Sequence, residues 1–372
     1  MMRLLGGSTL VAFLAMAFWS SMAAAEQQGD GTLDQTDASS EPVTLTKQSS
    51  GVNASLRGVC AVNRNVCWAS GTQGICLRTI DGGQSWESLT VPGADEIDFR
   101  DVHAWSKDKA LLMGIASPAR FFLTKDGGQS WTEVYHNDDP AIFFDAVAFW
   151  DQKRGVAFGD PVDGRLALIT TSDGGETWQD VDRTKIPPAV EGEGGFAASG
   201  TCLAVGKNGL ALIGLGGAVP GGQARLMRSE DYGASWTAME SPIRADQSSG
   251  IFSLCVVEGS GESQRVIGVG GDYQKPEAAI DVAMLSSDGG KSWKLVGRSC
   301  PTGFRSAVAH MADGGLITCG PNGIDISRDG GETWSAFSGT GFHAISLSPG
   351  GVGWLAGSEG RIARLVCKQP ER

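Results

Sequence analysis

The chain is short of the side chains that most often carry chemistry. Among its 372 residues there are 4 His and 3 Tyr, and the four charged types make up only 19%. Of the histidines at 103, 136, 310 and 343, only His136, beside Asp138 and Asp139, offers a metal candidate, and that cluster reads better as a solvated loop, so no metal site is expected. The eight cysteines (Cys60, Cys67, Cys76, Cys202, Cys255, Cys300, Cys319 and Cys367) include no C-x-x-C pair, which removes the redox and zinc-ribbon motifs. No G-x-G-x-x-G follows a strand and opens a helix. The Gly-rich stretch GLGGAVPGG at 214–222 falls between strand-like segments, where no helix dipole is available to hold a phosphate. No cofactor is expected on these grounds. Long Ala/Glu/Lys/Leu/Arg stretches are missing, which excludes a helical protein. Beyond residue 25 no apolar run is long enough to cross a membrane. Positive charge is also scarce: the formal net charge is −12, which argues against nucleic acid and against a basic patch on an anionic membrane.

The first 25 residues have the order of a secretory signal peptide. Arg3 is followed by an apolar run from Leu10 to Trp19, and Ala23-Ala24-Ala25 offers a small-residue cleavage site before Glu26. The expectation is an exported protein, periplasmic or secreted, with no membrane span once the peptide is removed. Residues 26–42 read as a polar flexible leader and 368–372 as a tail. Export permits disulfides, and Cys300 and Cys319 flank the start of one repeat closely enough to suggest a bridge. The other cysteines read as small apolar side chains in strands.

What is abundant is glycine, with 54 residues, and one phrase recurs with it. It reads TIDGGQSW at 79–86, TKDGGQSW at 124–131, TSDGGETW at 171–178, SEDYGASW at 229–236, SSDGGKSW at 286–293 and SRDGGETW at 327–334. The shared pattern is [ST]-x-D-x-G-x-[ST]-W, with its aspartates 45, 47, 58, 57 and 41 residues apart. Periods of that size belong to propellers and solenoids. A second mark, a large apolar residue opening a short alternating strand, falls at Leu56, Phe99, Phe144, Phe196, Phe252, Phe304 and Phe342. Seven starts for six boxes predict an all-β, seven-bladed β-propeller of four-stranded blades over 43–367. The last blade ends without a box, and Val43–Ser50 is expected to supply its fourth strand, which leaves no open edge. A monomer is expected.

Each box sits at the turn between the third and fourth strands. Its Asp can accept from the amides of its own turn, its Gly residues allow positive φ, and its Trp can cover the neighbouring sheet. Calcium needs several oxygen ligands, and each box offers one carboxylate, so the boxes read as structural.

Strand parity puts the boxes on one face and the blade starts, with the second-to-third connections, on the other. The residues after the starts (Arg57, Arg100, Asp145, Ala197, Ser253, Arg305 and His343) are expected to ring the channel mouth on that upper face. Connections in blades three to five add Asp160, Asp163 and Arg165, then 216–223, then Asp272, Tyr273, Lys275 and Glu277. Such loop clusters on a rigid scaffold are where ligands bind. An enzyme reading would need either an arginine cluster (Arg57, Arg100, Arg305) with a Tyr273–Glu277 pair, as in a sialidase, or a carboxylate pair drawn from Asp145, Asp160 and Asp272, as in other glycosidases. The first of these puts Tyr and Glu in one loop and lacks the Arg-Ile-Pro segment of sialidases.

The six boxes resemble the Asp-box, or BNR, repeat of sialidases and sortilin-type receptors. The segments FRDVHAW, FFDAVAFWDQKRGVAFGDPVDG, GGDYQKP, GFRSAVAH, GPNGIDISRDGGETW and GFHAISLSPGGVGWLAGSEGRIARL are similar to the photosystem II assembly and stability factor family and its bacterial relatives, some of them labelled oxidoreductases. That resemblance spans about residues 52–367. It implies a non-catalytic propeller that binds a protein or peptide partner in a scaffold or assembly role, with glycan hydrolysis as the rival.

Overall fold

The computed structural model describes residues 43–257, 264–297 and 300–367. The signal peptide, the leader and the tail lie outside the described residues. Seven antiparallel sheets succeed one another, and their inner strands touch in sequence around a closed ring. The second blade is typical, with strands Phe99–Ala104, Ala110–Gly114, Ala119–Thr124 and Thr132–Asn137 from channel to rim. In the seventh, Val43–Ser49 is the outer strand, paired antiparallel with Arg361–Cys367.

The core is divided among the blade interfaces. Seven apolar clusters lie one to each junction, from Trp68 and Leu112 between the first two blades to Trp354 and Leu77 between the last and the first. Each box Trp leans back on the preceding blade. Trp131 meets Trp68 edge-on at 6.4 Å and Trp86 meets Trp354 at the same separation. Gln48, on the closing strand, fastens the junction. Its Nε2 donates to Gly82 O at 3.0 Å, and its Oε1 accepts from Trp86 Nε1 at 3.2 Å and Trp354 Nε1 at 3.0 Å. On the channel side, neighbouring inner strands are tied through side chains. Asp101 Oδ2 accepts from Val147 N at 2.9 Å, Ser253 Oγ from Val308 N at 3.0 Å, and Ser346 Oγ from Ala61 N at 3.0 Å.

The boxes share one geometry. In the first, Asp81 Oδ1 accepts from Thr79 Oγ1 at 2.8 Å and Ser85 N at 3.0 Å, Oδ2 accepts from Ser85 Oγ at 2.6 Å, and Gly83 N donates to Thr79 Oγ1 at 2.8 Å. The sixth repeats it around Asp329. Both carboxylate oxygens are spent within the turn, so the box is a structural staple. Gly82 and Gly83 hold φ of 78° and 80°, a region that disfavours side chains.

Three expectations are corrected. Phe196 does not open the fourth blade, whose inner strand is Leu203–Val205; residues 193–201 instead leave the blade and cross the channel. The fifth blade starts one residue earlier than expected and the sixth one residue later. The Cα of the first inner-strand residue lies against a glycine that ends the next strand: Leu56 on Gly71, Phe144 on Gly159, Ile251 on Gly270 and Arg305 on Gly320. Phe252 and Ser306, not Ser253 and Arg305, therefore stand where Arg57, Arg100 and Asp145 stand. Finally, Cys300 and Cys319 are not bridged. All eight cysteines are free. Cys300 packs at the junction of blades five and six and Cys319 at that of six and seven, on opposite faces of one sheet.

Candidate site at the upper channel mouth

The first inner strand of each of the first three blades carries a β-bulge, at Arg57, Arg100 and Asp145. A bulge leaves one residue unpaired and re-aims its side chain. Here it turns a charged group into the channel mouth rather than into a blade interface. His343 is the equivalent residue of the seventh blade: its amide donates to Ala356 O at 2.8 Å. All four are buried. Burial first, then the charges of Arg57, Arg100 and Arg361, hold the His343 imidazole well below its usual pKa, so it is neutral.

Arg100 and Asp145 are covered by the segment 193–201, which meets both. Its N-terminal end is anchored by Glu193, whose carboxylate takes a bidentate contact from Arg225 at 2.7 and 2.6 Å. Gly195 N donates to Asp160 Oδ1 at 2.9 Å, and Arg100 Nη1 donates to Ala197 O at 3.0 Å while its Nε holds Asp98 at 2.7 Å. Ser199 Oγ donates to Ser306 O at 2.7 Å, and Thr201 Oγ1 meets Ser253 Oγ at the same distance. Contacts to blades two, three, five and six place the segment across the channel as a plug.

Three glycines of the plug press on three carboxyl groups. A methyl on Gly194 would overlap Asp160, one on Gly195 would overlap Asp145, and one on Gly200 would overlap Asp101. Burial, then the charge of Asp160, drives the Asp145 pKa well up, against the pull of Arg100 and the Ala197 amide. Burial raises Asp160 to about 6 against the Gly195 N–H, and raises Asp101 to about 7 against the amides of Val147 and Val102. Alternation alone does not single out Asp101, which faces the channel because the bulge at Arg100 shifts the pattern by one residue.

An aromatic cluster closes the other side. Phe196 stacks on Phe252 at 3.9 Å, and half-buried Tyr273 stands edge-on to both at 6.4 and 6.2 Å. Phe304 meets Phe252 at 4.6 Å.

The structure thus gathers Arg100, Asp145 and Asp160 against the plug, with Tyr273 beside its Phe, and places Arg57 and His343 close enough to Arg100 for the arginine charges to act on the imidazole. It does not bring in the rest. Arg305 is wholly buried inside the sixth blade, where its Nη2 pairs with Asp325 Oδ2 at 2.5 Å and its Nη1 donates to Asn322 Oδ1 at 2.7 Å. Asp163 is at the tip of a two-residue hairpin turn, not in a long loop, and Arg165 beside it donates to Ile186 O. Asp272 serves its own loop, accepting from Ser248 Oγ at 2.7 Å and Gln274 N at 2.9 Å. For a glycosidase the geometry is unfavourable: the carboxyls of Asp145 and Asp160 lie under the plug, and Arg305 is withdrawn from any arginine cluster.

Comparison with known proteins agrees with the fold. Residues 325–336, at the sixth box, match the BNR/Asp-box repeat family. No curated protein matches the chain. Among solved structures it is similar to YCF48 bound to D1 peptide, at 19% identity and a TM-score of 0.59 over 88% of this chain and 98% of that one. It is also similar to YCF48 from Cyanidioschyzon merolae, at 18% identity and 0.61 over 87% and 98%. The GH74 xyloglucanase from Xanthomonas campestris follows at 15% identity and 0.56, over 86% of this chain and 53% of that one. At such identities the likeness is one of fold.

Proposed function

We propose that this chain is an exported propeller that binds an extended peptide or protein segment on its upper face, in an assembly-factor-like role. The observation that carries the reading is the plug. The upper mouth already holds one stretch of extended backbone through Arg100 and Asp160, beside an aromatic cluster. The fold likeness to a propeller bound to a peptide supports it. Export rests on the order of residues 1–25. Tyr273, Lys275 and the exposed Ile280 line the accessible rim of the same face.

A peptide array probed with the purified chain tests this. Bound sequences should be lost with Tyr273→Ala and Lys275→Glu and kept with Lys294→Glu on the box side. Binding that ignores the upper-face changes, or no peptide bound either by wild type or by a chain whose plug is weakened by Phe196→Ala, refutes the reading. The xyloglucanase likeness favours one alternative, a glycan-active hydrolase. Turnover of chromogenic glycosides abolished by Asp160→Asn would establish it in place of peptide binding.

A further inference from the structure

The plug is built unlike the rest of the ring. Its aromatic cluster of Phe196, Phe252, Phe304 and Tyr273 is separate from the seven blade-junction cores, and only Ala197 also reaches one of those. Its sheet pairing is limited to Glu193–Gly194 against Gly216–Gly217. What lies beneath it is polar: Arg100, Asp101, Asp145 and Asp160 would be hydrated, not exposed as apolar surface, if it lifted. Side-chain groups hold its main chain at Gly195 N and Ala197 O, as a binding site holds a foreign peptide.

We propose that residues 194–201, GGFAASGT, are a built-in competitor occupying the partner's own site, so that the partner is an extended segment in which small residues flank one aromatic side chain. This rests on the peptide-binding reading above and adds the partner's chemistry to it. The small residues follow from the three contacts in which glycine alone clears a carboxyl group. The aromatic follows from the stack on Phe252. Tethered at both ends, the plug competes at an effective concentration on the order of millimolar, so a free peptide of similar affinity gains little occupancy until the plug is weakened.

The test uses the full chain and the labelled synthetic peptide GGFAASGT, capped at both ends. Phe196→Ala should bind it at least tenfold more tightly than wild type, and the peptide with Phe replaced by Ala should not bind. Gly195→Ala, which drives the plug off Asp145, should act in the same direction. In wild type, hydrogen exchange at residues 195–201 should run ahead of the inner-strand amides. The inference is overturned if the folded Phe196→Ala and Gly195→Ala chains both fail to bind the peptide, or if the plug amides exchange only with global unfolding. Those results leave the peptide array to judge the broader reading. Array peptides that bind wild type and Phe196→Ala equally would sink the competitor and keep peptide binding.

Discussion

The Arg305–Asp325 pair offers the sharpest test of how the blades are packed. Arg305 stands where Leu56, Phe144 and Ile251 stand in other blades. Asp325 lies two residues before its box Ser327, where Leu77, Phe122 and Ile169 stand before theirs. In the second blade the equivalent residues, Phe99 and Phe122, meet edge-on at 5.8 Å. The sixth blade has thus exchanged an apolar contact for an ion pair that is fully buried on both sides. Removing one partner strands the other charge, and Asp325→Ala should cost about 3–5 kcal/mol. At roughly 2 °C per kcal/mol that is a fall in Tm of about 6–10 °C. Replacing both, as Arg305→Leu with Asp325→Leu, recreates the first blade's pair and should return most of the loss, because an apolar pair of similar volume is often neutral or stabilising. Denaturant unfolding of the four chains of this cycle gives the coupling energy. The reasoning fails if Asp325→Ala costs under about 1 kcal/mol, or if the double change is no better than the single one.

Other outcomes follow from the same geometry. The hydroxyls of Ser85, Ser130 and Thr333, with the backbone amides, hold Asp81, Asp126 and Asp329 down at about 2. A depressed carboxyl stabilises fully above its unfolded value near 3.9 and loses that contribution as pH falls through about 2, so acid unfolding should centre in that window. Asp101 works the other way: raised to about 7, it takes up a proton on folding, so its contribution declines as pH rises from about 4 to 7. Tm against pH should slope downward there, and Asp101→Asn should flatten the slope. Gln48→Ala removes three hydrogen bonds at the closing junction and should cost about 1–3 kcal/mol by denaturant titration. In a thiol-labelling experiment on the native chain half-buried Cys300 should react first, with the fully buried Cys67, Cys76 and Cys319 reacting only on unfolding.

The ring was legible because its signal is local and repeated. Each box brings its Asp, Gly and Trp within eight residues, and six copies set the period. What could not be read was phase and detour. Phe196, Phe252 and Phe304 looked like blade starts because an aromatic opens so many of the others. Yet Phe196 belongs to the plug, and Phe252 and Phe304 each miss the first inner-strand position by one residue. Arg305 at an apolar position is intelligible only with Asp325, which lies 20 residues away. The bulges that aim Arg57, Arg100 and Asp145 inward shift the alternation by one, and that shift hid Asp101. The candidate site is therefore partly visible in sequence. Its residue types stood out, but the segment that covers them came from a stretch assigned to a strand.

The closing strand also has a consequence in time. Gln48 meets Trp354, 306 residues further along the chain. A chain made from its N-terminus must keep Val43–Ser49 unpaired until Arg361–Cys367 has been synthesised, a wait of roughly 15–60 s at about 5–20 residues per second. Throughout that interval the nascent protein is an open arc with two sticky ends, exposed to pairing with other chains. The two ends meet only in a chain that extends through Cys367, so a chain stopped short of that strand keeps both unpaired edges exposed.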